Sequence, residues 1–242
     1  MVCISVNKES EIKRLIEFFT NQTEEDQPQR RRTGLYGLSS IAVALYQIES
    51  SDFLELLIKP VMVAFSDREP KVQLAACDAM FNILKACKDD ILKYNFPETF
   101  NKIVSIVSQP ESDVKDWGRK LVEQLEDIVY GALVKNNIFE LDSLLDEIYE
   151  KLSRSKHQDI QFVLIQWIET LSSMTNVDIL KCLPRFLEKF FEILSTNTKH
   201  EVSGLVHTQL KTFLNDYAES QCRSVELDIQ ILEKILKFLN EK

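Results

Sequence analysis

A chain of 242 residues with 45% apolar and 28% charged side chains can bury a substantial core and reads as folded, not disordered. Its formal net charge of −9 disfavours nucleic acid as a partner, since binding to polyanions draws most of its strength from lysine and arginine. The longest apolar runs, such as Ile41 to Leu45, fall far short of the roughly 18 to 20 residues a membrane-spanning helix needs. Met1 to Lys8 lacks the pattern of a secretory signal, so the sequence reads as cytosolic.

The first predicted element is a helix whose face carries Ile12, Leu15, Ile16 and Phe19. An acidic run, Glu24-Glu25-Asp26, follows, and then the basic triplet Arg30-Arg31-Arg32. The acidic run partly cancels the local field of the arginines, and a solvated face is preferred for them over a lipid site. From Arg31 onward, Gly34, Leu35, Leu38, Ala42 and Leu45 form an apolar stripe at steps of three and four, which is the period of a helix face. Leu54, Leu57, Ile58, Val61, Met62 and Phe65 give the next helix, and Ser66 to Pro70 stop it. Proline there suits the first turn of a new helix opening at Lys71.

That helix carries Val72, Ala75, Ala76, Ala79, Ile83 and Ala86, at offsets 0, 3, 4, 7, 11 and 14. The same offsets from Val114 give Trp117, Gly118, Leu121, Leu125 and Ile128, and from Ile160 they give Val163, Leu164, Trp167, Leu171 and Met174. From Val202 they give Leu205, Val206, Gln209, Phe213 and Asp216, a copy that is polar at offsets 7 and 14 and is expected to be degraded or exposed. Before each anchor from Val72 onward lies an amphipathic segment: Leu54 to Phe65, Phe100 to Val107, Leu141 to Leu152 and Phe186 to Leu194. A last face, Val225, Ile229, Leu232, Leu236 and Leu239, has no following partner.

The anchors Arg31, Val72, Val114, Ile160 and Val202 stand about 41, 42, 46 and 42 residues apart, within the range of helical-pair repeats. One such pair cannot bury its apolar stripe alone, whereas stacked neighbours make a continuous core. The sequence therefore predicts an all-α, HEAT/armadillo-type right-handed solenoid of about five to six helical pairs. It is read as one domain over 1–242, with a terminal half-repeat near 225–240. Both tryptophans fall at helix-core offsets and are expected to be core.

Little in the chain points to chemistry. The five cysteines, Cys3, Cys77, Cys87, Cys182 and Cys222, form no C-x-x-C pair and read as reduced thiols, with Cys77 and Cys87 as small buried hydrophobes in preference to redox sensors. His157, His200 and His207 have no metal-ligand spacing, so no metal or cofactor is expected. Glycine-rich phosphate loops and nucleophile elbows are absent, and no residue is put forward as catalytic. The run Gly34-Leu35-Tyr36-Gly37 is read as close helix packing, not as the G-x-x-G clamp of an RNA-binding domain.

The stretch PVMVAFSDREPKVQLAACDAMFNIL, Pro60 to Leu84, resembles a HEAT repeat. Together with RRTGLYGLSSIAVAL (31–45), ILKYNFPETFNKIVSIV (91–107) and VKDWGRKLVEQLEDIV (114–129), it resembles the N-terminal region of a family. That family is the HEAT-repeat, vacuole-morphology scaffold of the PIKfyve-type phosphoinositide kinase complex, and the likeness covers about 31–216. The resemblance implies a non-enzymatic scaffold that brings a FYVE-domain phosphoinositide 5-kinase together with an opposing phosphoinositide phosphatase. It would sit peripherally, through its partners, on endosomal, lysosomal or vacuolar membranes. The family's chains are longer, and their C-terminal portion is associated with self-assembly and with holding the phosphatase. Homo-oligomerisation and phosphatase binding are therefore not expected from these residues alone. A general HEAT adaptor, a fragment and a lipid-surface binder using Arg30 to Arg32 stand as alternatives. Solenoid partners commonly meet the second helices and the inter-helix turns, which marks Arg30, Arg31, Arg32, Asp67, Lys71, Asp78, Asp113 and Lys115 as candidate contacts.

Overall fold

The structure, a computed structural model, describes residues 9–46, 53–135, 141–174, 179–196, 200–219 and 225–240, and among these it contains helices and no strand. Cys3 and Cys222 lie outside the described residues. In chain order the helices are α1 (Glu9–Thr23), α2 (Pro28–Leu45), α3 (Leu54–Ala64), α4 (Pro70–Ala86), α5 (Phe96–Ile106) and α6 (Ser112–Val134). They continue as α7 (Leu141–Arg154), α8 (Gln158–Ser172), α9 (Leu183–Ser195), α10 (His200–Glu219) and α11 (Val225–Asn240). The second helices predicted from the five anchors are α2, α4, α6, α8 and α10, so the helical-repeat expectation holds. The chain divides into two compact units, Met1–Phe139 and Glu140–Lys242.

A common local geometry opens the second helices. The residue before each of α2, α4, α6 and α8 (Gln27, Glu69, Glu111 and His157) is extended, with ψ of 121, 116, 123 and 120°. Extended backbone there reverses the chain and aims the next turn back along the preceding helix. Pro28 and Pro70 fit the first turn because they have no amide hydrogen that a helix would use. Pro97 and Pro184 do the same in the first helices α5 and α9. Pro60 differs: it lies inside α3 rather than between elements. α5 begins a turn earlier than the apolar stripe suggested and follows a π-helical turn, Ile91–Asn95.

In the first unit α2 packs against α1 and α4, and α4 against α3 and α6. All six predicted stripe residues of α3 are 4% exposed or less. On α2 and α4, Leu35, Leu38, Ala42, Leu45, Val72, Ala76, Ala79 and Ile83 have no exposed surface. Fully burying a Leu, Ile or Val side chain is worth about 1.5 to 3 kcal/mol, so these stripes supply most of the stacking energy.

Glycine sets the closest approaches. A Cβ on Gly34 would stand 2.6 Å from the carbonyl oxygen of Phe19 and 2.8 Å from the amide nitrogen of Thr23, and one on Gly37 would enter the Phe19 ring. α2 therefore lies against α1 at a distance only glycine permits, which is the packing role expected of the Gly34 to Gly37 run. Gly118 does the same for α6, 3.0 Å from the amide nitrogen of Val107.

In the second unit α7 packs on α8 and α9, α8 on α10, and α9 on α10 and α11. Phe186, Phe190 and Phe213 stack in series, with centroids 6.2 and 6.3 Å apart, and all three are buried. Two expectations are corrected here. Gln209, read as the polar defect of a degraded copy, is 1% exposed, and its amide nitrogen donates to Ser172 Oγ at 3.1 Å. A paired polar group costs little to bury, so α10 is seated and not exposed at that offset. On α11 the described residues of the predicted stripe face the other way: Ile229, Leu232 and Leu236 are 50 to 57% exposed while Ile231 is 5% exposed, and the Val225 and Leu239 side chains lie outside the described residues.

Candidate interaction surface

Arg31 occupies the anchor position that Val72, Val114 and Ile160 fill in later repeats, and it is 8% exposed. Its Nε donates to Asp67 Oδ2 at 2.7 Å and its Nη2 to Asp67 Oδ1 at 2.8 Å. Nη1 donates to the carbonyl oxygens of Glu25 at 3.1 Å and Asp26 at 2.7 Å. One guanidinium thus ties the α1–α2 turn to the α3–α4 turn. Asp67 also accepts the Glu69 amide at 2.9 Å. Burial pushes the Asp67 carboxyl up, but the Arg31 and Glu69 hydrogen bonds and the arginine charge outweigh that and hold it below the usual aspartate value.

The expectation of a solvated arginine face is therefore corrected at Arg31, whose charge is used inside the fold. Its neighbours diverge. Arg30 is exposed, with Nη1 3.6 Å from Glu25 Oε1, and Arg32 is half-buried, donating to the Tyr36 hydroxyl at 3.2 Å.

Of the other candidate contacts, Lys71 and Asp113 are exposed in the first turns of α4 and α6, and Lys115 is half-buried on α6. Asp78 is half-buried in the α2–α4 seam, accepting from Ser39 Oγ at 3.4 Å, and the Asn82 amide donates to that same hydroxyl at 2.8 Å. The structure brings Arg31 together with Asp67 and leaves the rest apart.

Sequence reasoning missed a repeated turn clamp. Gln73 and Gln161 each follow an anchor by one residue, and each side-chain amide donates to a carbonyl six residues earlier, Asp67 at 2.7 Å and Ser155 at 3.1 Å. The recurrence of glutamine at one repeat offset was the available signal.

A solvent-facing strip crosses the second helices of the first unit. Tyr36 and Val43 lie seven residues apart on α2, and Phe81 and Lys85 four apart on α4, with Lys85 Nζ 4.2 Å from the Phe81 ring centre. Trp117 on α6 meets Phe81 edge to face at 6.1 Å and carries Lys120 Nζ over its ring at 4.8 Å. Trp117 is only half-buried, which corrects its assignment to the core, whereas Trp167 is 1% exposed as expected. Beside the strip is a groove of about 480 Å³ lined by residues of α2, α4 and α6 together with Tyr46 and Lys88.

Among the described residues, no group of three or more His, Cys, Asp and Glu stands together as a metal cluster, and no helix is long and apolar enough to cross a membrane. Cys77 and Cys87 are buried, and burial pushes the Cys77 thiol up to about 12.

Stacked helical pairs, with seams closed by buried polar pairs and an aromatic and cationic strip left open to solvent, define an all-α repeat protein with an accessible second-helix face. Residues 29–127, which run from the first turn of α2 into α6, match the model of a family described as the Vacuolar 14 Fab1-binding region. The chain is 28% identical over 194 residues to Protein VAC14 homolog of Arabidopsis thaliana, covering 80% of this chain and 25% of that one. It is 26% identical over 249 residues to Vacuole morphology and inheritance protein 14 of Saccharomyces cerevisiae, covering 89% and 28%. The Schizosaccharomyces pombe VAC14 homolog matches at 26% over 195 residues, covering 67% and 24%. These matches make the chain similar to the N-terminal region of Vac14-family proteins, in line with the resemblance read from the sequence. The chain spans about a quarter of the length of the curated relatives it matches.

Proposed function

We propose that this chain is a non-enzymatic scaffold that binds a Fab1-type, FYVE-domain phosphoinositide 5-kinase and regulates phosphatidylinositol 3,5-bisphosphate synthesis on endosomal, lysosomal or vacuolar membranes. The observation that carries this reading is the match of 29–127 to a Fab1-binding region, a range that runs from α2 into α6 within one compact unit. Membrane attachment comes through the partners, and an opposing phosphatase belongs to the reading only as a second member of the same assembly. The burial of Arg31 argues against a lipid site built on Arg30 to Arg32, since only two of the three charges remain for anionic headgroups.

Affinity purification of the tagged chain from soluble and membrane fractions of its own cells, followed by mass spectrometry, tests the reading. Recovery of the Fab1-type kinase supports it. Recovery of other proteins without that kinase replaces it with a general helical-repeat adaptor.

A further inference from the structure

The groove beside the second-helix strip has a composition unlike the rest of this acidic chain. Val43 and Leu84 supply apolar wall, Tyr46 an aromatic edge, and Lys85 and Lys88 two ammonium groups, while Gln124 and Ile128 close the α6 side. None of its lining residues is a carboxylate, although the chain carries a formal charge of −9. Asp78, one turn before Asn82 on α4, accepts from Ser39 Oγ in the α2–α4 seam, and the exposed Asp89 follows Lys88 without lining the groove. Val43 and Tyr46 are 56% and 63% exposed, so the apolar part is open.

From this juxtaposition we propose that the groove seats an acidic segment of the kinase, with one or two large apolar side chains in the cleft and Asp or Glu residues against Lys85 and Lys88. The proposal rests on the kinase-binding reading and adds the surface and its chemistry. Charge complementarity selects the occupant: two lysines bordering an apolar wall suit an acidic, amphipathic partner, and complementary charge sets register and on-rate. A phosphoinositide headgroup fits less well, because dense phosphate is best held by converging arginine forks and gains nothing from an apolar floor. The family match supports the location, since it covers the groove's lining residues up to Gln124.

The test is binding of the purified Fab1-type kinase to the whole chain, compared with K85E/K88E, K85R/K88R and the first-helix control K59E/K102E. Lys59, Lys85, Lys88 and Lys102 are all exposed, so each variant is expected to keep its fold, and a circular-dichroism melt confirms this before binding is measured. Expected is a loss of about tenfold or more in affinity for K85E/K88E that shrinks as salt rises, with K85R/K88R and K59E/K102E binding like the parent. Equal binding by K85E/K88E and the parent overturns the groove assignment and leaves the kinase reading intact. Equal weakening by K59E/K102E overturns it as well, since the effect would then be general charge. Failure of the unaltered chain to bind the kinase removes both. A change in self-association of K85E/K88E by sedimentation, with kinase binding unchanged, assigns the groove to a second copy and overturns the proposal.

Discussion

Replacing Asp67 by asparagine keeps the side chain's size and one oxygen for the Glu69 amide, but sets an NH₂ group against the Arg31 guanidinium. Arg31 would stay 8% exposed with its Nε facing that NH₂ group and no carboxylate charge beside it, keeping the two carbonyls and a neutral oxygen at Nη2. Removing one member of a fully buried ion pair costs about 3 to 5 kcal/mol. Because Arg31 retains the Glu25 and Asp26 carbonyls and the Asp67 side chain is 12% exposed, about 2 to 3 kcal/mol is expected here. For a unit of this size that corresponds to a fall of roughly 6 to 10 °C in Tm. Trp117 lies in the first unit and Trp167 in the second, so a W167F background makes fluorescence report the first unit alone. The D67N, R31M and double variants form a cycle, and the double should lose less than the sum of the singles.

The pH dependence has a defined sign. Asp67 has a lowered carboxyl value in the folded state, so its stabilisation is complete above the ordinary aspartate value near ~4 and is lost as pH falls through the lowered one. The gap between parent and D67N should hold from neutral pH down to about 5 and narrow below about 4. Additive single variants, or a D67N melt within 1 °C of the parent, would refute the argument that this pair joins the two turns.

Gly34→Ala should destabilise the first unit by more than about 1 kcal/mol, since the new methyl meets backbone of α1, whereas Gly37→Ala should cost less if the Phe19 ring swings aside. Gly131→Ala, with nothing within 4 Å of its Cβ, should stabilise by about 0.5 to 1 kcal/mol, and urea unfolding ranks the three. Cys77 should resist iodoacetamide in the native protein at pH 8 and react once unfolded, as mass spectrometry of the alkylated peptides will read. Ile231→Lys should destabilise α11 against α9, while Leu232→Lys should leave the melt within about 0.5 kcal/mol of the parent; the reverse order would show that the predicted stripe is the seated one.

The repeat was legible because its signal is volume and hydropathy at fixed offsets. Val72, Ala75, Ala76, Ala79 and Ile83 are buried where the same offsets bury Ile160, Val163, Leu164, Trp167 and Leu171. Two of the misreadings fall where a polar group is buried with a partner. Arg31 and Gln209 find theirs 36 and 37 residues away, across the seam between successive pairs. Single-chain periodicity sees the polar residue and not the partner, so it assigns both to the surface. The candidate groove was hidden for a related reason. Its lysines and exposed Val43 read individually as solvated positions, and only the packing of α2, α4 and α6 sets them around one cleft.

The rotation of α11 shows what decides a helix face when hydropathy does not. This helix carries apolar residues on two sides, Ile229, Leu232 and Leu236 on one and Ile231 with Ile235 on the other, so either stripe could be seated by burial alone. Lys234 and Lys237 share a side one turn apart, and both reach Glu188 of α9, Lys237 at 3.0 Å. Their hydrogen bonds lower the Glu188 carboxyl. On the α10 side, the Tyr217 hydroxyl donates to Asp228. Two polar contacts on different neighbours leave one rotation that satisfies both, and that rotation turns Ile231 inward. Exposed ion pairs of this kind add little stability, so their effect is on which of two nearly equal apolar faces packs.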